Sequence, residues 1–400
     1  MFKRIFKTDL IHLAVCLVFL CTPIESVGVF GENSSFSIVK LVFLLLMVVW
    51  IFSSRKIEIK GLVVNYIVLF LYYLVGLMWS INIDNSFSQL FVFLLPTILM
   101  CAIISYNLQN RSDFKRIIIG YLIGCTILSV YAFVMRKQIL LNAQYAEMER
   151  VTVLGQDANE MAILMDIGIG MLLQYLANER KAIEKIIAWG VILFWSFVIF
   201  STGSRTGSII LVGLMGVYLI NNKKKGVYML PLMLVGIFFV VQYVSEGVLE
   251  RLLETSESIQ SNDFSFRGAI WRNGWSCFME ENIVLGVGYD NFSSMLVKHG
   301  LHSSASHNTY LSYFVNGGMI GFLIFLIIVY KFADLVFKVR RIDHKWDMLY
   351  YILPIFVGMM TLETTNRRWL FLLGVVLYKY YLLLRKESRQ QISINDNNLK

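Results

Sequence analysis

Residues 309–330 read TYLSYFVNGGMIGFLIFLIIVY, 22 residues without a charged side chain, preceded by His307-Asn308 and followed by Lys331. At a rise of about 1.5 Å per residue, such a run covers the roughly 30 Å hydrocarbon layer of a bilayer. It is therefore read as a membrane span. Comparable runs recur along the whole chain, at 9–30, 36–52, 61–80, 87–106, 117–135, 160–177, 185–201, 206–220, 227–244, 348–364 and 369–384. Together they predict about twelve transmembrane helices by hydropathy. With 57% hydrophobic and 16% charged residues over a length of 400, the chain has more apolar surface than one water-soluble core can bury. The predicted fold class is all-α: a polytopic integral membrane protein with one transmembrane domain over residues 1–385. A large loop at 245–308 separates the ninth and tenth spans, and a polar tail at 386–400 is expected to be disordered.

Charge sets the expected topology. The net charge of +9 comes from short clusters between apolar runs, with no continuous basic face, so no nucleic-acid partner is implied. Alternating the loops places Lys3-Arg4-Lys7, Arg55-Lys56-Lys60, Arg111-Lys115-Arg116, Arg180-Lys181-Lys185 and Lys223-Lys224-Lys225 on one side. Lys331 to Lys345 and Arg385 to Lys400 fall there too. By the positive-inside rule that side is cytoplasmic and holds both termini, which predicts a multi-pass membrane protein. Cys21-Thr22-Pro23-Ile24-Glu25 lacks a small-x-small cleavage pattern, so the first span is expected to be retained. Four of the five cysteines fall in apolar runs and Cys277 in the large loop, which implies neither a disulfide framework nor a thiolate metal site.

The basic residues assigned to the outer side differ in kind. Arg136, Arg150, Arg205, Arg251, Arg267, Arg272, Arg367 and Arg368 lie there against only Lys137 and Lys298, whereas lysine predominates inside. A guanidinium presents a planar fork that grips phosphate in bidentate fashion, while lysine serves topology equally well as a point charge. The outer loops 136–159 and 245–308 are long enough to be functional. In the second, two stretches repeat at helical spacing: Val248-Leu252 and Leu249-Leu253 beside a row of glutamates, and Trp271-Trp275-Met279. Both read as amphipathic helices on the membrane surface.

Several motifs carry possible chemistry. Thr202-Gly203-Ser204-Arg205-Thr206-Gly207 is a hairpin whose arginine is either a snorkelling connector residue or a phosphate ligand. Further along lie Arg267-Gly-Ala-Ile-Trp271, then Gly286-Val-Gly288-Tyr-Asp-Asn291-Phe292, then His307-Asn308-Thr309 at the head of the tenth span. The Gly-x-Gly follows no strand of a βαβ unit, so a nucleotide site is not indicated. His299, His302 and His307 fall within nine residues, but His-x-x-His in a loop fixes no common face and no zinc set is implied.

This arrangement resembles the superfamily of O-antigen ligases and surface polysaccharide polymerases of bacterial membranes. The resemblance also takes in Gly155-Gln-Asp-Ala-Asn159, which is similar to the family's Gly-x-Asp-Pro-Asn stretch with alanine for proline. It implies an enzyme of the cell envelope that moves an oligosaccharide from polyprenyl diphosphate to an acceptor hydroxyl, in lipopolysaccharide or capsule biosynthesis. The acceptor is a second lipid-linked glycan for a polymerase or a lipid A core for a ligase, and the sequence does not choose between them. No cofactor is implied. Many sugar transferases hold a divalent metal on acidic residues; no Asp-x-Asp lies on the outer side, so the implied enzyme is metal-independent. Arg205 and Arg267 are then the candidates to stabilise charge on the departing diphosphate. His307 is the candidate base for the acceptor's proton, or a donor to the diphosphate.

Arg272, Asn308, Gly286, Gly288, Asn291, Arg150 and Asn159 follow as candidate substrate-binding residues. Arg272 ranks below Arg267, since five residues turn a helix by about 140°. Arg367 and Arg368 read first as interfacial anchors, and Asp166 and Glu363 as ionisable groups that orient or pair with an arginine. The competing class is a transporter or flippase of the same lipid-linked oligosaccharides. It should show paired halves and charge along a central path, which this sequence does not.

Overall fold

The computed structural model describes residues 2–25, 38–53, 56–135, 153, 156–177, 181–222 and 267–398. Helices dominate, and no strand occurs among the described residues. In chain order they are α1 (Phe2–Cys21), α2 (Ile38–Ser53), α3 (Leu62–Val75), α4 (Ile83–Ser88, continued through a π-helical segment Gln89–Leu94) and α5 (Leu95–Asn107). Then come α6 (Arg111–Val134), α7 (Ala158–Leu176), α8 (Ala182–Ser201), α9 (Arg205–Asn221), α10 (Arg267–Met279), α11 (Phe292–Lys298), α12 (Thr309–Asp343), α13 (Leu349–Thr361) and α14 (Arg368–Asn398). Among the described residues four helical stretches are long and apolar enough to cross a membrane: Ile83–Asn107, Arg111–Val134, Ala182–Ser201 and Thr309–Asp343. The chain is an integral membrane protein. Each expected span within the described residues has a helix over most of its described length, while the ninth, 227–244, lies outside them together with the Val248–Leu253 repeat.

Two expectations are corrected. The first helix stops at Cys21, where Thr22-Pro23-Ile24 tightens into a 3₁₀ turn, because proline lacks the N–H that would continue it. The polar tail is helical to Asn398: Glu387, Arg389, Gln390 and Gln391 are good helix formers and extend an α14 already nucleated upstream. The Trp271-Trp275-Met279 repeat lies on α10, which buries Gly274, Cys277 and Phe278 and leaves Trp275 and Met279 exposed.

Contacts divide the chain into two compact units, one of residues 1–54, 111–255 and 339–358, the other of 55–110, 256–338 and 359–400. In the first, α7 is the central helix, buried along nearly its whole length. Close helix approach there depends on glycine: a Cβ on Gly124 of α6 would stand 2.1 Å from the Leu20 carbonyl of α1. Small residues at such crossings let backbones meet where lipid gives no hydrophobic drive.

In the second unit the organising feature is a break in α12. Gly318 takes φ 59 and ψ −163, a conformation open essentially to glycine alone, and the helix resumes after it. The loop from Ile283 to Gly288 lies along this break and takes up the backbone groups it frees. Val287 and Gly288 donate to the carbonyls of Val315 and Asn316, and Met319 and Ile320 donate to those of Ile283 and Val284. The Tyr72 hydroxyl of α3 reaches the Leu285 carbonyl at 2.9 Å, and Trp79 Nε1 donates to the same oxygen. Irregular backbone in a membrane protein survives when protein satisfies it in this way. Lys379, inside the last span, is likewise accounted for: its Nζ lies 2.6 Å from Glu58 Oε2.

Candidate active site

In the first unit the Ser204-Arg205 turn is built from helix caps. Gly203 takes φ 62 after α8, and Ser204 then opens α9, its Oγ accepting the Gly207 N–H at 3.1 Å. The same hydroxyl donates to Asn159 Oδ1 at 2.9 Å. Asn159 in turn follows Asp157, whose carboxylate caps α7 by accepting the N–H groups of Asn159 and Glu160. The two sequence motifs thus meet, and Asn159 holds the arginine turn by its side chain. Arg205 is half-buried at the first residue of α9. Asp166 is fully buried in α7 below the turn, and neither of its oxygens has a hydrogen-bond partner among the described residues. Arg150 lies outside the described residues.

The second unit brings together the Arg267 helix and the His307 turn. Arg267 is the first residue of α10, and one turn later Trp271 Nε1 donates to the Ser306 carbonyl at 2.8 Å. The Ser306 N–H donates to Glu363 Oε2 at 2.8 Å, while Ser306 Oγ donates to the Asn308 carbonyl. Asn308 Oδ1 accepts the Leu311 N–H and so caps α12. Between these fixed neighbours His307 is half-buried with φ 48, a left-handed conformation that histidine tolerates better than most residues. Glu363 also accepts from the Ser312 hydroxyl, and Thr365 Oγ1 lies 3.4 Å from its Oε1. It is the brace of the His307 turn. Arg272 lies exposed on α10.

Gly286, Gly288 and Asn291 are each tied into the surrounding structure. A Cβ on Gly286 would stand 2.4 Å from the Gly318 nitrogen, and one on Gly288 2.5 Å from Ser80 Oγ. Asn291 is fully buried; its amide reaches Ser80 Oγ, Ser86 Oγ and the Val287 carbonyl, its Oδ1 accepts from Asn85, and its N–H donates to Asn316 Oδ1. It ties the α3–α4 connection to the Gly-x-Gly loop. Of the histidines first weighed for a metal, His299 instead sets its Nε2 3.0 Å from Glu281 Oε1.

Beside the His307 turn opens a cleft of about 540 Å³, lined among others by Asn82, Asn85, Asp290, Ala305, Glu363, Asn366 and Arg367. Sequence reasoning singled out Glu363 and Arg367 here and missed the rest. Asp290 was hidden inside the Gly-x-Gly-Tyr-Asp-Asn stretch, where its left-handed backbone, φ 59, left no signal. Burial, and then the Glu363 charge, push its carboxyl up to about 7, against the Asn366 hydrogen bond and the Arg367 charge.

Residues 190–326 match a family model described as O-antigen ligase. The match takes in Arg205, Arg267, Arg272, the Gly286–Asn291 loop and His307-Asn308, and it supports a place in the O-antigen ligase superfamily. The general function it supports is of the O-antigen ligase or polymerase type, in surface polysaccharide biosynthesis. No curated protein matches the chain.

Proposed function

We propose that the chain is a metal-independent glycosyltransferase of the cytoplasmic membrane, with both termini cytoplasmic. It would act on the outer side, moving an oligosaccharide from polyprenyl diphosphate to a hydroxyl of an acceptor glycan or a lipid A core. The observation that carries this reading is the braced His307 turn: Trp271 from the Arg267 helix holds one side of Ser306 and Glu363 the other. A histidine that follows a backbone held in this way is suited to take a proton from a bound hydroxyl. In the step proposed, the acceptor oxygen attacks the anomeric carbon and its proton passes to His307. The bond from that carbon to the diphosphate oxygen breaks, and the electron pair leaves with the polyprenyl diphosphate. A single displacement of this kind inverts the anomeric centre.

Arg205 and Arg267 are the proposed diphosphate ligands. Each is the first residue of its helix. A cation there is opposed by the helix macrodipole by about 0.3–1 kcal/mol, whereas an anion is favoured by dipole and guanidinium alike. Purified protein given one defined lipid-linked repeat unit tests the reading. Longer chains from that substrate alone identify a polymerase, and transfer only after lipid A core is added identifies a ligase. No product in either case, or unchanged turnover by His307→Ala at normal protein level, sinks it.

A further inference from the structure

We infer that the cleft bounded by Asp290, Asn366 and Glu363 is the acceptor-sugar subsite, and that Asp290 grips the acceptor's hydroxyls and favours a neutral or amino sugar over an acidic one. The inference rests on the transferase reading for its chemistry but has its own geometry. The cleft's roughly 540 Å³ lies within the range of about 300–1,000 Å³ usual for small-molecule sites. Its polar lining combines the carboxylates of Asp290 and Glu363 with three asparagine amides and the hydroxyls of Ser293, Ser294 and Thr365. Sugar hydroxyls donate and accept at once; carboxylates take the donated hydrogens and amides serve both roles. Among the described residues Arg367 is the one cation of this lining, which also holds two carboxylates. That balance suits neither a diphosphate nor a uronate and leaves the uncharged end of a glycan as the fitting occupant.

Asp290 is held in place before any ligand arrives. Asn85 Nδ2 donates to its backbone carbonyl at 2.7 Å, and Asn366 Nδ2 to its Oδ2 at 2.6 Å. The left-handed backbone, φ 59, is tolerated by aspartate and fixes the direction in which its side chain leaves the loop. With a carboxyl titrating about 7, the group can accept from one hydroxyl or donate to another near neutral pH. The cleft also shares its wall with the catalytic candidate: Ala305 stands two residues before His307, and Glu363 holds the intervening Ser306 N–H. A sugar seated here is carried by the same segment that carries the proposed base.

The test uses purified full-length protein with Asp290→Asn, which keeps an acceptor for Asn366 and removes the charge. Two-substrate kinetics should show acceptor KM raised about tenfold while donor KM stays within about twofold, as expected when a charge-assisted hydrogen bond is lost from one substrate only. Discrimination between acceptors differing only in a C6 hydroxymethyl or carboxylate group should relax in the same variant. Binding of the lipid-free repeat-unit oligosaccharide should be weaker in parallel for the variant than for the wild type. Normal turnover with unchanged acceptor KM and unchanged discrimination overturns the subsite while leaving the transferase reading intact. Saccharide binding that depends on Asp290 in a protein forming no product supports the subsite and rejects the transferase.

Discussion

Glu363 and Ser306, 57 positions apart in the chain, meet through a 2.8 Å hydrogen bond from the Ser306 N–H to Glu363 Oε2. The next residue is His307, so a carboxylate just past α13 sets where the backbone of a histidine in the α11–α12 connection can stand. Removing that carboxylate leaves a half-buried N–H without its partner, at a cost of about 1–3 kcal/mol. Glu363→Ala is therefore expected to lower kcat some 10- to 100-fold with donor KM little changed, and Glu363→Asp to recover part of the loss. A purely structural role would reduce the amount of folded protein without separating kcat from KM.

The arginines are expected to respond to shape as well as charge. Arg205→Lys and Arg267→Lys each keep a cation at a helix start but lose the bidentate fork. Each should lower kcat/KM by about 10-fold or more, and alanine at either position by about 10²–10³-fold, the usual scale for losing one preorganised stabiliser of a leaving anion. Single variants are compared at matched membrane abundance with a defined donor lipid. Lysine variants indistinguishable from wild type at both positions would reduce these residues to interfacial anchors.

Gly286 separates architecture from binding. Alanine there meets φ 79 and places a Cβ 2.4 Å from the Gly318 nitrogen and 2.5 Å from the Asn316 carbonyl. The backbone strain alone costs about 1–3 kcal/mol, and the contact must push apart the loop and the break in α12. Gly286→Ala is expected to lower the thermal midpoint in detergent and the membrane abundance while leaving KM per folded molecule close to wild type. A normal midpoint with a raised KM would instead make the glycine part of the substrate surface.

What the sequence disclosed, and what it withheld, follows from the range of the interactions involved. Apolar runs announce spans because the requirement to cross lipid is local, and the helices fall where those runs predicted within the described residues. The Gly317-Gly318 break is invisible by the same logic: two small residues inside an apolar run carry no hydropathy signal, and the break exists only because Ile283 to Gly288 lie alongside it. Trp271 and Trp275 share a helical stripe, yet Gly274 faces the core because Phe292 packs where its Cβ would be. Ser204 and Asn159 were named separately, while their 2.9 Å hydrogen bond is a long-range fact. Asp290 became visible only once Asn366 and Glu363, more than seventy positions later, closed around it.

Asp290 also makes a signed prediction about pH. Its carboxyl titrates about 7 in the fold, above the roughly 3.9 of an unfolded chain, so the folded state holds its proton more tightly. Its contribution is then most favourable below about pH 4, declines as pH rises from there through about 7, and is constant above. Asp290→Asn removes the titrating group without changing its shape. The difference in thermal midpoint between variant and wild type should therefore widen in the variant's favour from about pH 5 to about pH 8 and level off beyond. Subtracting the two curves cancels the other ionisable groups, so a flat difference across that interval would place the Asp290 carboxyl at its ordinary value, unshifted by burial or by Glu363.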